Sequence, residues 1–557
     1  MQGSETKICK NCHDEFTIEE DDFSFYEKMK VPPPGICPDC RFKQRALWRN
    51  ETTLYSGRKC NLCGKNIVSI YNPKSRYTVY CHDCYFSDRW NPKNFGETYN
   101  PRQSFFEQLN NLLLKVPKNT TYLSTSDGPN INSDFTNMAG GLKNCYLVFN
   151  SGPAEDLIYS RGIRDSRDSS DMYFGINFER CYEDVNVSGS NGVIWGKNTF
   201  ESIDSVFVLN CRNVNNCFGC VNLINRSYHF FNEPLSREEY KKRINDIMGS
   251  FSKMEETRKK FEKFSLKFPH KENNNLKTEN SIGDYLYECK NVKYSFEATK
   301  AEDCKYLFSS KEIRDSMGVI GYGFQSELLL ECVAVGYSTN VIGSRSVTNS
   351  QNISYSFSLR NCHDCFGCDG LENVSYCILN KQYSKEEYER LREKIIEELK
   401  SKDLYGLMIP SELAPFSYNE TIGQDNMPLT KDEALAQGFR WEDDIQKTEG
   451  KETIQPEDLP DHIKDVPDSI TEEILRCIDC GRNYKIIHPE LQFYRKMLIP
   501  LPRKCFYCRH RDRIARRGPY KFWQRNCAKC EKEITTNYAP DRPEIVYCVE
   551  CYQKEVY

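Results

Sequence analysis

Eight Cys-x2-Cys pairs hold the clearest chemistry in this sequence. Four lie near the N-terminal end, Cys9/Cys12, Cys37/Cys40, Cys60/Cys63 and Cys81/Cys84. Four lie near the C-terminal end, Cys477/Cys480, Cys505/Cys508, Cys527/Cys530 and Cys548/Cys551. Two residues between cysteines let a tight turn aim two thiolates at one ion, and a second such turn closes a tetrahedral site with no open position. Closed thiolate sites hold structure and leave no place for a substrate. The spacing predicts four structural Zn2+ sites, each built from neighbouring pairs. Disulfides, iron–sulfur clusters and a cross-braced pairing are the other arrangements such cysteines can adopt.

The pairs sit in a duplicated frame. Twenty-four residues separate Cys12 from Cys37 and Cys480 from Cys505; seventeen separate Cys63 from Cys81 and Cys530 from Cys548. Phe25-Tyr26 matches Phe493-Tyr494, and Val79-Tyr80-Cys81 matches Val546-Tyr547-Cys548. Each end thus carries one longer module (A, A′) followed by one shorter module (B, B′). The 24-residue spacer leaves room for a β-hairpin. Module A, from Cys9 to about Arg49 and again from Cys477 to about Arg517, ends in Pro-x-x-Cys-x2-Cys-Arg, with Pro34 and Arg41 or Pro502 and Arg509. On these motifs it resembles the family called "probable zinc-ribbon" domains, of treble-clef type. The whole layout resembles large uncharacterised bacterial and viral zinc-ribbon proteins. The resemblance implies metal binding and no particular activity.

A basic segment follows each A module. The first carries Arg41, Lys43, Arg45 and Arg49; the second carries Arg509, Arg511, Arg513, Arg516 and Arg517. Neither contains Gly or Pro, so both read as short helices starting at the second knuckle. Residues 474–530 hold 15 Lys/Arg against 3 Asp/Glu, which suits phosphate contact with RNA, DNA or a ribonucleoprotein. Two other roles fit the same residues. Cations offset the charge of a four-thiolate centre, or they dock on the acidic stretch 442–473, which holds 12 acidic and 3 basic residues.

Between the cysteine blocks the sequence keeps a beat of twelve. Asn132, Asn144, Asp156, Asp168, Arg180, Gly192, Asp204 and Asn216 recur at that interval, each followed by a small or apolar residue such as Ser133, Cys145 or Val193. A second series runs Asn291, Asp303, Asp315, Glu327, Asn340, Asn352 and Asp364, with one step of 13. Fixed self-similarity of this kind predicts a solenoid of short parallel strands, four or five residues each. Whether a coil takes 12 or 24 residues stays open, as does an antiparallel meander. Both series end alike, in Cys217-Phe218-Gly219-Cys220 and Cys365-Phe366-Gly367-Cys368. Each is followed by Ser-x-x-Glu (Ser236 and Ser384), a helix-start signal. These helices, and one near 104–116, are expected to cap the solenoid. The twelve internal cysteines read as buried stack residues, with Cys362, Cys365 and Cys368 as the set that could instead hold a metal.

The 557 residues, with a net charge of −4 and 28 cysteines, exclude a globally cationic nucleic-acid protein. No apolar run approaches the roughly 20 residues needed to span a bilayer, and no export signal opens the chain, so a reducing, cytoplasmic setting without a membrane partner is expected. The predicted fold class is mainly β: a duplicated parallel β-solenoid core with amphipathic capping helices, flanked at both ends by duplicated four-cysteine zinc-ribbon modules. The expected domains are 1–92, 101–270, 278–420, an acidic mobile linker 421–473, and 474–557. Acids placed on the turn beat, with no phosphate loop or nucleophile elbow, argue against catalysis. The reading is a non-enzymatic zinc-binding scaffold contacting nucleic acid or a nucleoprotein. The alternatives are a protein–protein assembly module with purely structural ribbons and a carbohydrate-binding solenoid.

Overall fold

The computed structural model describes residues 3–123, 127–445 and 447–557. Strand outweighs helix, 33% against 25%, and the large sheets are rich in parallel pairs, with no closed barrel among the described residues. The chain divides into two compact units, each made of two separate stretches: residues 1–120 with 273–443, and residues 121–272 with 444–557. Each unit therefore joins one cysteine block to the repeat series that is more distant in sequence. No described helix is long and apolar enough to cross a membrane.

In the second unit the first series forms a parallel array whose register advances twelve residues at every step. Tyr173 pairs with Val185 and Val185 with Lys197. Three residues along, Ile176 pairs with Ser188 and Ser188 with Phe200. Three further, Arg167 bridges Glu179 and Glu179 bridges Asn191; three further again, Ser170 bridges Tyr182 and Tyr182 bridges Ile194. Four columns of pairs, three residues apart, bring the chain back to the same column after twelve residues. Strands such as Arg161–Arg164, Ser166–Ser170 and Val185–Ser188 run four or five residues, as expected, with paired residues three apart.

A repeating triplet explains the composition. One residue pairs with its neighbours; the next is left-handed; the third points inward. Every residue of the first beat has positive φ, including Asn144, Asp168 and Asp204. For an L-residue this conformation costs about 1–2 kcal/mol, least for Asn, Asp and Gly. Ladders of side chains offset part of that cost: Asn186 Nδ2 donates to Asn198 Oδ1 at 2.9 Å and Asn198 Nδ2 to Asn210 Oδ1 at 3.2 Å. The inward residues are small because the interior is narrow. Cys181, Val193, Ser205 and Cys217 are fully buried. The serines remain satisfied: Ser205 Oγ donates to the Ile203 carbonyl and accepts from the Cys217 amide, at 2.8 and 3.1 Å.

The second series forms the same kind of array in the first unit, Glu327 pairing with Thr339 and Thr339 with Gln351. Its extra residue lies one turn earlier than the beat placed it. Left-handed residues fall at Asp315, Leu328 and Asn340, so the step of 13 spans 315–328, where Tyr322, Gly323, Phe324 and Gln325 all have positive φ. Each array closes with an antiparallel hairpin, Ser227–Phe230 with Glu233–Pro234 and Ser375–Ile378 with Lys381–Gln382. A helix follows, Arg237–Ile247 or Lys385–Ser401. Ser236 and Ser384 cap these helices by accepting from the amides of Glu239 and Glu387. Tyr240 packs on Tyr228 and Tyr388 on Tyr376, covering the last strand edge.

Two expectations change. The helix Phe105–Lys115 packs on the second array, not the first, with Phe105 against Tyr355 and Phe366. The acidic stretch does not run free. Leu459, Ile463, Val466 and Ile470 are buried in one cluster with Met254, Phe261 and Tyr494, because apolar residues three or four apart give its short helical turns a buried side.

Replacing Asn198 by Val removes two ladder bonds and places a β-branched residue at φ 51°. Urea denaturation is expected to show a loss of about 2–4 kcal/mol.

Candidate metal centres and the basic helices beside them

Each cysteine group is assembled the same way. A two-stranded hairpin supplies the first knuckle: Glu5–Ile8 with Glu15–Ile18 for Cys9/Cys12, and Tyr55–Lys59 with Asn66–Ser69 for Cys60/Cys63. The second knuckle opens a helix. Cys37 caps Pro38–Ala46 and Cys81 caps His82–Tyr85. In the C-terminal block Cys505 caps Phe506–Arg517 and Cys548 caps Val549–Val556. The spacers of the A modules, which left room for a hairpin, hold its second strand, Glu15–Ile18 or Asn483–Tyr484, and then a helix, Glu20–Lys28 or His488–Met497.

The sulfurs converge module by module: Cys9/Cys12/Cys37/Cys40, Cys60/Cys63/Cys81/Cys84, Cys477/Cys480/Cys505/Cys508 and Cys527/Cys530/Cys548/Cys551, each set within 4.8 Å. Pairing is therefore between neighbours, not cross-braced, and all described cysteines are free thiols. Four thiolates held about 2.3 Å from a tetrahedral ion stand about 3.8 Å apart. Sulfur–sulfur separations between knuckles include 3.7 Å (Cys12–Cys37), 3.9 Å (Cys63–Cys81), 3.7 Å (Cys480–Cys505) and 3.8 Å (Cys530–Cys548). The four groups can each hold a metal ion.

Backbone N–H groups aim at the sulfurs. Cys81 N–H donates to Cys60 Sγ at 3.3 Å and Cys548 N–H to Cys527 Sγ at 3.2 Å. Burial would raise these two thiols, but the amides of Cys81, Cys63 and Leu62 bring Cys60 down to about 6, and those of Cys548, Cys530 and Lys529 do the same for Cys527. Arg89 Nη2 donates to Cys84 Sγ at 2.7 Å. No histidine joins a converging group among the described residues, and Cys362, Cys365 and Cys368 do not form one. Those three are buried in the second array with Cys332 and Cys377, as stack residues.

The arginines that the sequence offered to phosphate point the other way. Arg41 and Arg45, one helical turn apart, donate to the two oxygens of Glu331, whose side chain is fully buried. Arg509 and Arg513 likewise converge on one carboxylate, Asp171, both donating to its Oδ1, at 2.9 and 2.7 Å. Glu331 and Asp171 each occupy a left-handed corner of the array in their own unit. Arg49 is buried beside Glu51 at 2.6 Å. Arg516 pairs with Glu183 at 3.4 Å, and Arg517 Nη1 donates to Tyr173 Oη at 3.1 Å. Lys43 is half-buried and donates to Gln437 at 2.8 Å. Only Arg511 of the nine is exposed, and its Nη2 reaches Cys508 Sγ at 3.4 Å. A guanidinium buried against the array is out of reach of a nucleic-acid phosphate backbone. The first part of the stripe was readable: Arg41/Arg45/Arg49 and Arg509/Arg513/Arg517 recur every fourth residue, on one face of a helix.

No family model matches this chain, and no curated protein matches it either, so the resemblance of the A modules to zinc ribbons rests on the cysteine groups. Eight solved chains show a likeness. Among them is a "putative acetyltransferase from Desulfovibrio desulfuricans G20", 11% identical, covering 48% of this chain and 72% of its own, with a TM-score of 0.12. The expectation that the chain is not an enzyme is withdrawn on that finding. At so low a TM-score the likeness assigns no reaction here.

Burial raises the Asp171 carboxyl, but Arg509 and Arg513 outweigh it and hold the group below the usual carboxylate range. Its stabilisation is present above the unfolded value near 3.8 and is lost as pH falls through the lower folded value. Asp171→Asn is expected to cost about 3–5 kcal/mol at pH 7 by removing the buried carboxylate on which both arginines converge, although Glu183 and Glu490 stay within ion-pair distance of them. It should also flatten acid destabilisation below about pH 4, measured by urea midpoints across pH. Arg511→Ala, on the surface, is expected to change stability by less than about 0.5 kcal/mol.

Proposed function

We propose that this chain is a zinc-stabilised protein scaffold. Each four-cysteine group holds one Zn2+, the tandem blocks act as zinc ribbons, and the two arrays are β-solenoids with twelve-residue coils. Zinc suits a closed set of four thiolates, and such a site contributes folding energy without opening a coordination position.

One observation carries this reading: the arginines beside the metal groups are spent inside each unit. The helix that starts at a ligand cysteine presents two guanidiniums to one buried carboxylate of the array, in duplicate. Metal binding fixes the helix start, and the helix fixes the block on its array. Among the sequence readings, the assembly module with structural ribbons therefore fits better than nucleic-acid contact.

The surface left for a partner is a free side of the array. On the second unit Lys143, Glu155, Arg167, Glu179, Asn191 and Ile203 line a shallow groove. Their charges alternate, with Lys143 paired to Glu155 and Arg167 to Glu179 across exposed side chains. Exposed pairs of this kind exchange partners at little net cost, and an alternating row matches a protein surface better than a polyanion.

Elemental analysis of reduced protein is expected to give four Zn per chain, and Cys60→Ser three. Charge reversal at Lys43 and Arg511, the cations least buried in the basic helices, is expected to leave retention on RNA and DNA columns at physiological salt unchanged. Far fewer than four equivalents would sink the zinc reading, and a salt-dependent loss of retention in the reversed variant would restore the nucleic-acid one.

A further inference from the structure

The second unit contains a cavity of about 330 Å3 that neither the metal groups nor the arginine clamp requires. Three elements meet there: the helix Phe251–Ser265, the array face at Tyr182, Trp195 and Phe207, and the C-terminal A′ module from Ile499 to Arg516. The walls are largely aromatic and aliphatic. Its volume sits at the small end of the roughly 300–1,000 Å3 typical of small-molecule sites.

The charges around it do not balance. Each lining carboxylate is taken: Glu255 and Glu262 by Arg258, at 2.7 and 2.5 Å, Asp512 by Lys504 at 2.8 Å, and Glu183 by Arg516 at 3.4 Å. Arg503 has no carboxylate within ion-pair distance among the described residues. Its Nη2 donates to the Leu459 and Pro460 carbonyls at 3.0 and 2.9 Å, the Phe251 ring lies 4.6 Å from the guanidinium carbon, and Nη1 has no acceptor. Arg503 is only 6% exposed. Arg516, stacked 3.8 Å from the Trp195 ring centre, also leaves Nε and Nη1 without acceptors. The carboxylate that acts on Arg503, Asp461, is held by Ser250 and Ser252 and makes no ion pair with it. A buried cation without a directly paired carboxylate is costly, and an anion binding beside it would relieve that cost.

The geometry points to a binding site for a small anionic molecule, a carboxylate or phosphate on a compact apolar body. Arg503 is its principal counter-charge, with the body lying against Phe251 and Trp195. This site is independent of the scaffold reading and does not need it. Three probes test it by calorimetry on the full, metal-loaded chain: benzoate, phenyl phosphate and neutral benzyl alcohol. At least one anion is expected to bind ten-fold or more tightly than benzyl alcohol, and which one does distinguishes carboxylate from phosphate. Arg503→Met should erase that preference, whereas Lys504→Met, which removes a cation already paired to Asp512, should keep it. Ala515→Trp, from an exposed lining position, should block all three probes without changing metal content or the unfolding midpoint. No anion preference in the wild type, or undiminished binding in Ala515→Trp, would overturn the proposal. Should Arg503→Met fail to fold, Ala515→Trp and the wild-type anion ratio decide alone.

Discussion

A repeat of three residues has room for one inward side chain, and most of this structure follows from that restriction. One residue of each triplet must fit a narrow interior, so it is Cys, Ser, Val or another compact residue. One must turn the corner with positive φ, which favours Asn, Asp and Gly. The third joins the ladder and faces outward, where it is free to carry the charges and rings that other elements recognise. The polar composition is therefore the composition of corners, and the internal cysteines are the composition of a core too thin for Leu or Phe at every level.

The corners also explain why the cysteine blocks attach where they do. A corner residue projects from the array with its backbone already committed, so a carboxylate there is fixed in place before anything docks. Glu331 and Asp171 occupy such positions, and each receives two arginines one helical turn apart. The helix bearing those arginines begins at a cysteine of a converging group. Thiolate convergence, helix direction and the buried ion pair thus form one chain of dependence. The same chain occurs in both units although the partners lie about 290 residues apart in one case and 338 in the other.

The cysteine groups and the twelve-residue beat were legible because each depends on local spacing: a knuckle is four residues, and the parallel register advances by twelve. The direction of the arginines was not. Arg41 and Arg45 read as a cationic surface because nothing near them in sequence supplies the counter-charge; Glu331 does so from far along the chain. The beat on Asp168 and Asp204 suggested turn residues and nothing more, and Asp171, three residues past the beat, was invisible as the anchor of a clamp. The step of 13 was seen but placed one turn late, since Glu327 imitates a beat residue while Leu328 holds the corner.

The crossing of segments between units sets an order on assembly during synthesis. The N-terminal cysteine block leaves the ribosome first, yet the array it docks on follows only after the whole first series has been made. The first array in turn is complete long before residues 506–517 arrive to neutralise Asp171. Between synthesis of residues 171 and 331, a nascent chain therefore carries both an unpaired carboxylate on one half-finished unit and a stripe of unmatched arginines on the other. Each waits for a counterpart that has not yet been translated.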